Sequence, residues 1–365
     1  MGYFKNIKFF NYRNFSNLNF DFKTGCNILV GKNGSGKTNI LEGISLFEKG
    51  RGFRKDKINN LINFNNQKTA FNVKSTFTNK EKIDLKINVF NTEKNLKKIT
   101  VNDSAERQSL KYFESIFSII YFLPEMERMF VSPPSFRRNF LDRLIFSCSK
   151  DYNSIINYYK KAINERHLLL KNQSCDEVWL NKVENNIVSN CIDIYQKRIL
   201  HIQNINNYLK KININKNFAN NYILKLKDDF LDSYSKIYED KDQYLYQLKK
   251  NRNNDLFHSG CSIGPHRSDI CCISQNNNFN SNQLSTGQQK TLVILIIISQ
   301  CIFLIKDLKL DPVILLDEIC SHLDDNNREL LLYLTNELNV QTFMTGTDKS
   351  FFSFLSTNAH YCNIT

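Results

Sequence analysis

The plainest chemistry in this chain lies in eight consecutive residues: Gly31, Lys32, Asn33, Gly34, Ser35, Gly36, Lys37 and Thr38. Their spacing, G-x-x-x-x-G-K-T, is that of a phosphate-binding loop. Glycines let the backbone wrap a phosphate so that successive N–H groups point at its oxygens. The N-terminus of a following helix adds positive potential at the same place. Lys37 is suited to reach the β- and γ-phosphates of a nucleoside triphosphate, and the Thr38 hydroxyl to ligate Mg²⁺. Three later signals return to this chemistry. Asp317 and Glu318 stand at the end of the apolar run Val313-Ile314-Leu315-Leu316. Asp317 is placed to hold Mg²⁺ beside Thr38, and Glu318 to orient or deprotonate an attacking water. Without metal and nucleotide, two such carboxylates would have a solvated turn as their alternative reading. Lys37, Asp317 and Glu318 are the candidate catalytic residues.

In Leu284-Ser285-Thr286-Gly287-Gln288-Gln289-Lys290, Ser285 and Gln288 have capping-box spacing, so a helix should start here. Small Ser285 and Gly287 at its tip make an anion site. One phosphate loop is already present, so a second clamp points to the nucleotide of another subunit; a plain capped core helix is the alternative. Ser321-His322-Leu323-Asp324 follows. Then comes the strand Val340-Gln341-Thr342-Phe343-Met344, ending in Thr345-Gly346-Thr347-Asp348. A polar strand end beside Asp317 is where a γ-phosphate sensor belongs; a threonine turn without function fits the residues as well.

The elements that must position these residues read as follows. Residues 3 to 30 alternate polar and apolar positions, as strands feeding the phosphate loop do. Residues 70 to 102 alternate again and predict an antiparallel set. Helical periodicity takes over from about 141 to 250, with one stripe through Ile155, Tyr158, Tyr159, Ala162 and Ile163. A second runs through Leu180, Val183, Ile187, Cys191, Ile194 and Arg198. The expected organisation is α/β: head residues 1–140, a helical lobe with elongated arms over 141–255, and the rest of the head over 256–365. Asn204 to Asn221 and Lys249 to Asp255 are the candidate linkers or solvated turns. Ser135 is positioned to cap a helix. Arg137-Arg138 in that helix's first turns opposes the helix dipole, which hints at a separate task for the pair.

The chain of 365 residues carries 49 Lys and Arg against 36 Asp and Glu, a formal +13, which suggests an anionic polymer as partner. An Asn- and Lys-rich composition produces such a balance in other proteins too. Ten scattered cysteines form no C-x-x-C pair and read as reduced thiols of a cytosolic protein. The N-terminus carries no signal-peptide pattern. The apolar run Leu292 to Ile305 reads as a buried helix rather than a membrane span.

These residues resemble a known family. Gly31 to Thr38, Leu284 to Lys290, Leu315 to Glu318 and Ser321 to Asp324 look like the Walker A, signature, Walker B and D-loop motifs of ABC-type ATPases. With Arg137-Arg138 and Phe140-Leu141-Asp142, Gly264-Pro265-His266-Arg267, and Gln341 to Thr347, the set is similar to the RecF family of bacterial DNA replication and repair proteins. The likeness runs from residue 3 to about 350. It implies an ABC-type P-loop ATPase head with a mixed sheet and an inserted α-helical second lobe. It further implies a weak, cytoplasmic ATPase acting in DNA damage repair, replication and the SOS response. Such a protein would dimerise on ATP and prefer gapped or single-strand/double-strand junction DNA. It would help RecO and RecR load RecA, with no membrane partner. By the same resemblance Gly31 to Thr38 bind ATP, Thr38 and Asp317 hold Mg²⁺, and Glu318 assists hydrolysis. Ser285 and Gly287 would close on the partner's γ-phosphate. Ser268 departs from the acid usual after Gly-Pro-His-Arg, Ser132 stands near an expected glycine, and no Q-loop glutamine is evident, Pro124-Glu125 marking only its region. A transporter ATPase would place its signature much nearer the phosphate loop, and an SMC or Rad50-type protein needs a long coiled coil between its halves. A non-hydrolysing, ATP-gated DNA clamp and another SMC-like chromosome-maintenance ATPase stay open as alternatives.

Overall fold

A computed structural model describes residues 1–172, 176–212, 221–233, 240–257, 260–275, 279–320 and 324–364. The chain divides into two units, one of Met1–Glu127 with Thr286–Thr365, the other essentially Arg128–Ile212 with Lys216–Ser285.

Two five-stranded sheets build the first unit. Strands β1 (Tyr3–Tyr12), β2 (Phe15–Asp21), β4 (Asn72–Thr78), β5 (Asp84–Asn91) and β6 (Lys97–Val101) form the antiparallel one, in the order β2-β1-β4-β5-β6. Their alternation has one buried face: Phe9 lies opposite Val73 and Val73 opposite Val89, all fully buried. Lys8, Lys74 and Asn88 occupy the neighbouring register on the open face. The other sheet is parallel throughout: β3 (Cys26–Val30), β7 (Phe117–Phe122), β10 (Asp311–Leu316), β11 (Gln341–Gly346) and β12 (His360–Asn363), in the order β12-β3-β11-β10-β7. Every residue of β3, β7, β10 and β11 is buried. That explains their continuous apolar runs, since a parallel sheet is covered on both faces.

Helices α1 (Lys37–Ser45), α2 (Arg107–Glu114), α9 (Thr286–Lys306) and α10 (Asp325–Leu332) belong to this unit. The α9 helix is long and apolar enough to cross a membrane, but most of its apolar stretch is buried inside the protein. It is apolar all round, as a core helix is. Rings of Phe4, Phe77, Phe113 and Phe117 join the two sheets, with centroids 4.3 to 5.9 Å apart. Each buried ring contributes on the order of 2 kcal/mol. Gln341 adds polar precision: its amide accepts from Phe4 N–H (2.8 Å) and donates to Phe4 C=O (2.8 Å), tying β1 to the start of β11.

The second unit holds α3 (Pro134–Cys148), α4 (Tyr152–Lys171), α5 (Glu177–Leu209), α6 (Asp229–Ser233), α7 (Lys241–Lys250) and α8 (Arg252–Phe257). All six stripe residues named for α5 are buried. In the α4 stripe Tyr159 and Ala162 are buried, whereas Tyr158 is exposed. The unit also contains an antiparallel strand pair, β8 (Tyr222–Lys227) and β9 (Asp269–Ser274).

That pair moves the expected boundaries. Residues 256–285 belong with the second unit rather than the head, because β9 pairs with β8. Residues 128–140 join it too, with Arg137 of α3 ion-paired to Asp269 of β9. The start of one expected linker and nearly all of the other are helical. Asn204 to Leu209 finishes α5, and Lys249 to Asp255 spans the end of α7 and most of α8. Ser135 caps nothing: α3 starts at Pro134, whose fixed φ and missing N–H suit a first helical position, with Pro133 before it.

Candidate nucleotide site

Between β3 and α1 the chain turns through Gly34 and Gly36 at φ 81° and 99°, left-handed values that favour glycine. A Cβ on Gly36 would meet the Phe15 ring at 2.5 Å, and one on Gly31 would lie 2.7 Å from Ser35 Oγ. The loop is therefore a concave strip of backbone. Lys37, the first residue of α1, is buried and folds back over it, donating to Gly31 C=O (2.6 Å) and Lys32 C=O (2.8 Å). Burial lowers the pKa of its ammonium, against the raising influence of Glu318 and Asp317. Behind the loop, buried Glu42 of α1 takes a two-pronged ion pair from Arg13 (2.9 and 2.7 Å), which ties α1 to the turn between β1 and β2. Asn14 donates to Ser35 C=O (3.2 Å) and accepts from Asn39 (2.9 Å), which in turn accepts from Arg54 (2.7 Å).

The parallel sheet brings in the carboxylates. The β3, β11 and β10 strands lie side by side, so the residues after them emerge at one edge, where α/β proteins bind ligands. Asp317 N–H continues the ladder to Phe122 C=O (2.9 Å). The Asp317 carboxylate is buried and accepts on one oxygen from Thr38 Oγ1 (3.1 Å) and Thr345 Oγ1 (2.7 Å). The Thr345 hydroxyl also accepts from Glu318 N–H (2.8 Å). Glu318 sits at φ 50° with its side chain exposed. Thr345 thus holds both members of the Asp317-Glu318 step. A cavity of ≈260 Å³ opens here, lined by Lys37, Glu318, Thr345 and Thr347 and also by Cys320 and Phe351.

The residues present fit a bound triphosphate and a hard cation. The Ser35 hydroxyl in the loop is buried without a hydrogen-bond partner. A hydroxyl and a carboxylate within 3.1 Å of each other are the oxygen donors Mg²⁺ takes.

The signature segment is placed less completely. Ser285 is exposed and falls in the second unit; Gly287 is in the first turn of α9, in the head. Gly287 does not line the cavity. Further along α9, buried Lys290 pairs with Glu127 (2.7 Å), fixing the helix start to the 124–131 turn. Of the expected D-loop, Ser321, His322 and Leu323 lie outside the described residues, and Asp324 caps α10 through Asn327 N–H (2.8 Å). Cys320 and Phe351 were not signalled by the sequence. They belong to no spacing pattern and reach the cavity only through the fold.

A glycine-wrapped loop, its lysine and a strand-end aspartate on one parallel sheet make this a P-loop ATPase head of the ABC type. The sequence profile of the RecF/RecN/SMC N terminal domain matches residues 3–362. The chain is 32% identical over 353 residues to the DNA replication and repair protein RecF of Rickettsia prowazekii (strain Madrid E), covering 93% of this chain and 92% of that one. A solved structure of the recombination mediator protein RecF-ATPrS in the RecFOR pathway superposes with a TM-score of 0.82 at 27% identity, over 96% of this chain and 94% of the other. The Smc head domain of Pyrococcus furiosus, bound to the C-terminal domain of ScpA, shares the fold at a TM-score of 0.52 and 16% identity, over 97% and 92% of the two chains. The chain therefore belongs to the RecF/RecN/SMC family, within it to the RecF DNA replication and repair proteins.

Proposed function

We propose that this protein binds ATP with Mg²⁺ in the head and dimerises on it, holding gapped or single-strand/double-strand junction DNA. The observation that carries the reading is the convergence of the Thr38 and Thr345 hydroxyls on the Asp317 carboxylate, beside the Lys37 ammonium. Gly31 to Gly36 wrap the phosphates with backbone N–H groups, Lys37 holds the β- and γ-phosphates, and Thr38 with Asp317 holds the cation. Bound Mg²⁺ would neutralise charge developing on the phosphates. Glu318, exposed at the cavity edge, orients and deprotonates the attacking water in a slow hydrolysis. Thr345 positions Glu318 through its backbone N–H. Ser285 and Gly287 of one copy close on the γ-phosphate held by the other, so each working site is shared between two copies. The formal +13 supports a DNA partner. The relatives' names, a DNA replication and repair protein and a recombination mediator of the RecFOR pathway, support repair and replication work; in the cytoplasm, alongside RecO and RecR, that work would be the loading of RecA.

The test is light scattering on the full chain with gapped or fully duplex DNA, with and without ATP and Mg²⁺. A dimer that needs ATP and favours the gap is expected. A particle whose mass ignores nucleotide would overturn the reading. Phosphate release at the background level in the wild type, and no lower in Glu318→Gln, would instead make the protein a non-hydrolysing clamp.

A further inference from the structure

Arg137, Arg138, His266 and Arg267 have no part in the nucleotide site, yet three of them surround a second cluster of charge within the second unit. Arg137 is fully engaged. It makes a two-pronged pair with Asp269 (2.7 and 2.7 Å) and donates to the Phe130 and Ser132 carbonyls. Arg198, 2% exposed, is taken by Asp142 (2.9 and 2.9 Å) and by Pro265 C=O (2.5 Å). His266 is neutral and fixed, with Nε2–H donating to Cys261 C=O (2.8 Å) and Nδ1 accepting from Tyr159 OH (2.6 Å). Burial pushes it down to about 4. Two arginines and two aspartates therefore cancel.

Arg138 is the remainder. It gives one N–H to Ser268 C=O (2.7 Å), and no described carboxylate pairs with it. It is half-buried, and burial with Arg198 nearby lowers its pKa, against the raising influence of Asp269 and Asp142, both already engaged by Arg137 and Arg198. It lines a cavity of ≈220 Å³ together with exposed Lys160, Ser135 and Asn139, and with the Asp142–Arg198 pair, whose charges offset each other. A half-buried guanidinium with most of its donors unspent is well placed to take an anion. A guanidinium fork, an ammonium, a hydroxyl and an amide around one small space match a tetrahedral, many-oxygen anion better than a planar carboxylate.

We infer that this pocket binds a phosphate group of a DNA strand through Arg138 and Lys160, with Ser135 and Asn139 completing the shell. A backbone phosphate offers the required charge and geometry, and the basic balance of the chain favours a nucleic acid over an acidic protein. The inference rests on the DNA-binding reading above. It adds a contact separate from the nucleotide site.

The test compares the full chain with Arg138→Gln/Lys160→Gln. DNA affinity is measured across a salt series, ATP-driven dimer mass confirms the head, and inorganic phosphate is titrated against thermal unfolding. The expected result is about tenfold weaker DNA binding, with the slope of log K against log salt reduced by about two, one per lost contact. Dimer mass should be unchanged. If Arg138→Gln fails to fold, Lys160→Gln alone, at an exposed residue, should lower the slope by about one. Equal affinity and slope in wild type and variant would overturn the inference while leaving the DNA reading intact. A wild type that binds no DNA at all would overturn both. Phosphate that stabilises only the wild type, with DNA binding equal, would assign the pocket to free phosphate. An acidic peptide that binds the wild type alone, with DNA binding again equal, would assign it to a protein partner; both results reject the DNA strand.

Discussion

The nucleotide site and the centre of the second unit use the same kinds of side chain to opposite ends. In the second unit, buried Arg166 gives Nε to Glu184 (2.9 Å), Nη1 to Asp255 (2.7 Å) and Nη2 to Leu248 C=O (2.9 Å). Glu184 also takes Arg252, and Asp255 takes Ser262 N–H. Little charge is left uncovered, so this network orders helices and nothing more. In the head, the Lys37 ammonium rests on two backbone carbonyls instead of a carboxylate, and Asp317 is held by hydroxyls rather than by a cation. Charge left short of its counter-charge marks a place for a ligand; charge closed on itself marks structure.

The sharpest break of that contrast is Lys37→Ala. Removing one member of a desolvated, hydrogen-bonded charge contact costs about 2–5 kcal/mol, roughly 30- to several-thousand-fold in nucleotide affinity. ATP-driven dimers should vanish from light scattering while the melting curve hardly moves. Arg166→Met should do the reverse. It leaves Glu184 and Asp255 buried with less of their counter-charge, at a cost of about 3–5 kcal/mol in stability by denaturant titration. Nucleotide affinity of the folded fraction should stay unchanged. If the two variants share one phenotype, the two networks are not separate.

A smaller effect separates holding from turnover inside the head. Thr345→Val removes the hydroxyl that donates to Asp317 and accepts from Glu318 N–H. Turnover is expected to fall on the order of 10²-fold, as for loss of a positioned acid–base group, with nucleotide binding largely kept. Steady-state phosphate release beside equilibrium binding reads the two separately.

The sequence made the phosphate loop and the Asp317 strand legible because both are local: fixed spacing in one, a buried apolar run closed by carboxylates in the other. The role of Thr345 was not local. It depends on β11 lying between β3 and β10, an order that no periodicity encodes. The Gly264-Pro265-His266-Arg267 stretch carried part of the family resemblance without a role of its own. Much of it is scaffold: Gly264, at φ 129°, lets the Tyr159 hydroxyl approach to where a Cβ would be 2.4 Å away. Composition misled at Asn206, read as linker. Its amide donates to Leu224 C=O and accepts from Leu224 N–H (2.9 Å each), docking β8 on α5. The partner of Arg137 lies 132 positions away, beyond any pattern of nearby residues.

The finest test uses acid, and only the second unit should feel it. His266 is neutral in the fold at about 4 against an ordinary 6.5, because burial disfavours its charged form and Arg267 adds to the effect. Below pH 6.5 the unfolded chain takes up this proton before the folded one, so stability falls with falling pH. The loss begins near pH 6.5 and is complete near 4, amounting to at most about 3 kcal/mol. Above pH 6.5 the contribution is whole and flat. Urea midpoints followed from pH 7.5 to 4 should show this decline. His266→Gln should start less stable and decline more shallowly over the same window. A wild-type profile no steeper than the variant's would mean that the imidazole takes up its proton as readily in the fold as in the unfolded chain. In acid, Tyr159 OH would then accept from His266 Nδ1–H instead of donating to it, and the two unpaired cations beside the cavity would become three.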